Sequence, residues 1–117
     1  MTAETHDKVD FNNLVAGLAA SAIAVLSQVE ILMGPSAAGE DGEKLSRDEI
    51  RKRISDGLGG ARQLIDTLAV LDEKTKGNLT DEEAKFLQAA LSDLRIRHVS
   101  LANRPMPEGD AGKGDGE

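Results

Sequence analysis

The chain has no cysteine, no tryptophan and no tyrosine, and only two phenylalanines in 117 residues. The missing cysteine excludes disulfides and thiolate metal sites. With aromatics this scarce, any core must be built from Leu, Ile, Val and Ala, a composition that suits helix packing better than a β-sandwich. A net charge of −7 argues against binding a nucleic-acid backbone, which needs concentrated Lys and Arg. The one basic run, Arg51-Lys52-Arg53, stands among Asp48, Glu49 and Asp56 and reads as a solvated helix face.

Charge itself is missing from one segment. Nearly a third of the residues are charged, yet Leu14 to Val29 contains none. Leu14 to Met33 has about the length a bilayer span requires. Gly17, Ser21, Ser27, Gln28 and Glu30 interrupt it, and it lacks basic flanks and interfacial Trp or Tyr, so membrane insertion is not expected. Acids (Glu4, Asp7 and Asp10), not a basic region, precede it, so no secretory signal is read and the expected location is the cytoplasm.

What is present is three helical patterns, with no strand and no internal repeat. The first begins at Asp10, a good N-cap, and ends at Gly34-Pro35. The second starts at Ser46, which has capping-box spacing to Glu49. Its stripe runs Ile50, Ile54, Leu58, Ala61, Ile65, Leu68 and Leu71. Gly57, Gly59 and Gly60 lie inside that stripe without breaking its phase, which predicts a weakened or kinked helix, or a point of close approach. The third starts at Thr80, with Asp81-Glu82-Glu83 in its first turn and Leu79 able to staple onto Ala84. Its stripe is Ala84, Leu87, Leu91, Leu94, His98 and Leu101. The short turn Gly77-Asn78-Leu79 makes helices two and three an antiparallel hairpin. The expected organisation is a flexible N-terminus over 1–9, a helical domain over 10–103 with a linker at about 35–45, and a disordered acidic, Gly-rich tail over 104–117. The expected fold is all-α: a long first helix packed on that hairpin, dimerised into a larger bundle.

Two faces of the first helix carry this expectation. At the helical step, Phe11, Leu14, Val15, Leu18, Ala22, Val25, Leu26, Val29, Leu32 and Met33 share one third of the circumference and should cover the hairpin. Opposite them, Asn13, Gly17, Ala20, Ala24, Ser27 and Ile31 recur at steps of four and three. A solvent face would normally carry Lys and Glu there. Small residues instead let two backbones approach closely. Gly17, Ala20, Ala24, Ser27 and Ile31 are therefore the candidate oligomer interface, most simply of a homodimer; the bland alternative is an Ala-rich surface facing water. Arg95, Ile96, Arg97 and Val99, off the inward stripe of helix three, form a candidate surface for a helical protein partner.

The block Ala61-Arg62-Gln63-Leu64-Ile65-Asp66, the run Glu73-Lys74-Thr75-Lys76-Gly77-Asn78-Leu79-Thr80 and the segment Asp93-Leu94-Arg95-Ile96-Arg97 are distinctive. Together they resemble the small bacterial family known as domain of unknown function 1844, over roughly Val9 to Leu101. The resemblance implies a short, soluble helical protein without an assigned activity. This chain has His98 where many members carry Tyr, and its acidic linker falls where family lengths vary.

Chemistry-bearing patterns are weak. Asp81-Glu82-Glu83 is better explained by helix capping than by a cation site. Lys74-Thr75-Lys76-Gly77 and Gly57-Leu58-Gly59-Gly60 lack the spacing and the preceding strand of nucleotide loops. No Glu-x-x-His pair supports a di-iron bundle. His98 reads as a partly buried histidine with a hydrogen-bond partner, ahead of a switch. No catalytic residue, metal ligand or cofactor is expected. The leading expectation is a non-catalytic, self-associating interaction or assembly protein. The alternative is peripheral membrane or lipid binding through the apolar first helix.

Overall fold

The computed structural model describes residues 10–34 and 46–106. Among them are three helices, α1 (Phe11–Leu32), α2 (Arg47–Lys74) and α3 (Asp81–Ala102), and no strand. The expectations for 1–9, for the linker at 35–45 and for the tail from 107 lie outside the described residues.

A side chain marks each helix start. Asp10 Oδ1 accepts from the Asn13 N–H at 2.8 Å, and Ser46 Oγ accepts from the Glu49 N–H at 3.0 Å. At α3 the exchange is reciprocal: Thr80 Oγ1 accepts from the Glu83 N–H at 3.0 Å, and Glu83 Oε1 accepts from the Thr80 N–H at 2.9 Å. These bonds satisfy backbone donors that the first helical turn leaves free. Thr80→Ala is expected to cost about 1 kcal/mol, read as a lower denaturant midpoint at an unchanged slope. The turn after α2 is closed by Gly77, at φ +87°, a left-handed conformation that glycine adopts without a Cβ clash.

Every pair of helices is in contact. His98 of α3 reaches the backbone of Leu58 in α2. The two residues stand almost equally far along the chain from the turn at Gly77, so α2 and α3 run antiparallel. Arg104, just past α3, pairs with Glu30 near the end of α1 at 3.5 Å, so the C-terminal ends of α1 and α3 lie together. The core draws Val15, Ala22, Leu26 and Val29 from α1; Ile50, Ile54, Ala61, Ile65 and Leu68 from α2; and Leu87, Leu91, Leu94 and Leu101 from α3. These are members of the three stripes that periodicity assigns to the interior. Each is worth roughly 1.5–3 kcal/mol when fully buried, the alanines less.

Three details differ from the sequence reading or sharpen it. Leu14, counted on the bulky face, is 48% exposed. It lies at the edge of the stripe, where the helix surface turns away from its neighbours. The glycine-rich stretch of α2 neither ends nor interrupts the helix. Only Gly57 is a point of close approach: a Cβ built there would lie 2.6 Å from Val29 Cγ2, whereas one at Gly59 or Gly60 would meet nothing within 4 Å. Finally, order extends past Asn103. Arg104 pairs with Glu30, and Met106 is partly buried against the core. The expected tail from 104 therefore includes two residues tied to the bundle, because a cation finds a partner on α1 and an apolar side chain packs against the core.

Candidate interaction surface

The outward side of α1 is the least ordinary surface of the chain. Asn13, Gly17, Ala20, Ala24, Ser27 and Ile31 are all exposed, and a Cβ on Gly17 would meet nothing. Glu30 is the sole ionisable residue between Phe11 and Leu32. The sequence-derived seam is thus a continuous stripe on a helix whose opposite side is already in the core. The outward side of α2 differs in kind. Lys52 pairs there with Asp56 at 3.1 Å and Arg62 with Asp66 at 3.6 Å, both pairs well exposed. That is the solvated helix face expected of a surface helix.

The second candidate surface lies on α3. Ile96 is 68% and Val99 53% exposed, among the most exposed large aliphatics of the described chain. Arg95 and Arg97 flank them and are exposed too, with Arg97 Nε donating to Asp93 Oδ2 at 2.9 Å. Arg95, Ile96 and Val99 share one outward region, whereas Arg97 faces the side of α3 toward α1. That region does not join α1's stripe directly. Between the two helices runs a cleft of about 170 Å³ whose walls include Ile23, Ser27, Glu30, Arg97, Ser100 and Arg104. Ser27 and Arg97 were legible as surface candidates. The others could not be read from the sequence, because their proximity depends on how α1 and α3 are rotated against each other.

On the other side of α3, Arg62, Ile65, Asp66, Arg95, His98 and Val99 line a second open cleft of about 370 Å³. His98 is half-buried at its edge, with Nε2 3.1 Å from the Leu58 carbonyl oxygen. A carbonyl oxygen only accepts, so Nε2 carries the proton and the ring is tied to α2. This is the satisfied histidine that its position on the stripe suggests. A nucleophile–base pair needs both groups in hydrogen-bond reach with a third to orient the base; the atom that holds His98 is a backbone carbonyl. Of the three acids at the start of α3, Glu83 is engaged in the capping box. Among the described residues no three His, Asp or Glu side chains are grouped as a metal site.

The family model described as "Domain of unknown function (DUF1844)" matches residues 8–100. No curated protein and no solved structure matches the chain.

Proposed function

We propose that this chain, which belongs to the DUF1844 family, is a non-catalytic helical protein of the cytoplasm that associates with itself through the exposed stripe of α1. One observation carries the proposal: α1 buries one side in the bundle and presents, on the other, six exposed residues none of which is charged. Water does not require that composition, as the charged outward side of α2 illustrates. Another helix does. Glycine, alanine and serine at steps of four and three allow close backbone approach, so that ridges of one helix enter the grooves of the next. A second copy is the simplest occupant, since two-fold homodimers are the commonest oligomers. The Ile96–Val99 region of α3 remains open for a helical protein partner. Sedimentation equilibrium over a wide concentration range tests the reading. A mass rising toward that of a dimer supports it, and a monomer throughout removes it.

A second reading has its own observation. α1 is long and apolar enough to cross a membrane, with a mean hydropathy of 1.8. Lipid binding through it would present Leu14, Leu18 and Val25 to the bilayer and withdraw Val15, Ala22, Leu26 and Val29 from the core. Each such withdrawal forfeits up to about 1.5–3 kcal/mol unless lipid replaces the contacts. Flotation with anionic liposomes separates the two readings. Recovery of the protein with the vesicles, together with loss of the dimer, favours the membrane.

A further inference from the structure

We propose that the cleft between α2 and α3 binds a small organic monoanion, a carboxylate carried on a short apolar body. This site does not depend on self-association and uses none of α1's stripe. The cleft has a volume of about 370 Å³, within the size range of small-molecule sites. Its lining is of two kinds. Buried Ile65 and the aliphatic Val99 form an apolar wall, and Arg62, Asp66, Arg95 and His98 form a polar edge.

The two guanidiniums belong to different helices, and the register of the hairpin brings them level. His98 Nε2 donates to the Leu58 carbonyl oxygen at 3.1 Å, which fixes the alignment of α2 and α3 there. Arg62 is four residues on from Leu58, and Arg95 three residues back from His98. On antiparallel helices both steps lead toward the turn at Gly77, by about one helical turn each. Two exposed cations therefore line one cleft at one level. Packing two surface helices does not call for that, because like charges held at one level repel. Asp66 answers Arg62 at 3.6 Å. Arg95 is in no ion pair among the described residues, unlike Arg97 and Arg104.

The charge count selects the ligand. Two positive groups and one negative group line the cleft, which leaves one positive charge to be balanced. A carboxylate balances it, and a guanidinium can take a carboxylate through two parallel N–H···O bonds. A doubly charged phosphate would overshoot and would meet the Asp66 carboxylate. The apolar wall selects the rest of the molecule: a body laid against Ile65 and Val99 removes apolar surface from water. The His98 ring, tied to α2 by its own N–H, keeps that edge of the cleft in place before any ligand arrives.

Hexanoate is the probe, with 1-hexanol, hexylammonium and inorganic phosphate as comparators. Each is titrated into the isotopically labelled full chain at constant pH and ionic strength, and amide NMR shifts are followed. Hexanoate is expected to give saturating shifts at Arg62, Ile65, Asp66, Arg95, His98 and Val99, at concentrations at least about tenfold below those any comparator needs. Arg95→Gln should weaken hexanoate at least about tenfold, the scale of one charge-assisted hydrogen bond. Lys85→Gln removes the same charge from another exposed position of α3 and should bind hexanoate as the wild type does. Hexanol binding as tightly as hexanoate would overturn the proposal by showing a merely apolar cleft, and phosphate doing so would overturn it by showing a merely cationic one. Equal weakening in the two variants would reduce the effect to net charge. Shifts centred on α1, or no saturation at all, would also overturn it. None of these outcomes bears on the dimer, which sedimentation reads separately.

Discussion

Gly57→Ala is expected to lower stability by about 1–3 kcal/mol, the range for overpacking a filled interface. The direction is informative because α-helix propensity alone predicts a gain of about 1 kcal/mol for the same change. The added Cβ would lie 2.6 Å from Val29 Cγ2 and 3.9 Å from Val25 Cγ1. Val29 is buried and β-branched, with little freedom to rotate away. Either α1 and α2 separate, opening the core between them, or Val29 leaves its rotamer. Gly59→Ala, two residues on, is the matched control: its Cβ meets nothing within 4 Å. That change should stabilise by up to about 1 kcal/mol through helix propensity. The two variants thus move in opposite directions although they make the same chemical change in one helix. Thermal unfolding by circular dichroism measures both, at roughly 4–8 °C per kcal/mol for a domain of this size. A Gly57→Ala protein as stable as the Gly59→Ala protein would show that α1 and α2 are not held as closely as the structure describes.

Ala20→Glu is expected to abolish self-association while leaving the single chain folded. Ala20 is exposed in the isolated bundle, and Glu is nearly as good a helix former as Ala, so helix content and monomer stability should scarcely change. In the proposed dimer the new carboxylate would stand within the contact, once from each copy. Burying an unpaired charge costs about 3 kcal/mol or more, which corresponds to at least a roughly hundredfold weaker dimer. Gln63→Glu adds the same charge on the exposed outward side of α2 and should leave the dimer intact. Light scattering and sedimentation read the difference. Equal association of the two variants would show that α1's stripe is ordinary surface.

Much of the fold was legible because helix formation is governed by neighbours in the sequence. The N-caps at Asp10, Ser46 and Thr80 stand where the residue types place them, and Gly77 takes the left-handed conformation at the turn. The inward stripes of α2 and α3 match the buried residues, with Leu58, Leu71, Ala84 and His98 half-buried at their margins. The exposed stripe of α1 was legible for the same reason: periodicity assigns residues to sides of a helix without reference to any partner. Less legible were the positions whose environment depends on two helices at once. Leu14 satisfies the apolar pattern and is nevertheless half in solvent. Arg104 and Met106 lie beyond the last helical residue and have only tertiary partners.

The sequence by itself determined three helices, their limits, their apolar sides and an uncharged outward stripe on the first, because capping and the 3.6-residue repeat are local. Only the tertiary structure decided that Gly57 rather than Gly59 or Gly60 marks the close approach, that Leu58 holds His98, and that Arg104 pairs with Glu30. Those facts depend on the rotation and axial offset of one helix against another. The shapes of two packed surfaces fix these together, and no stretch of either helix carries them alone.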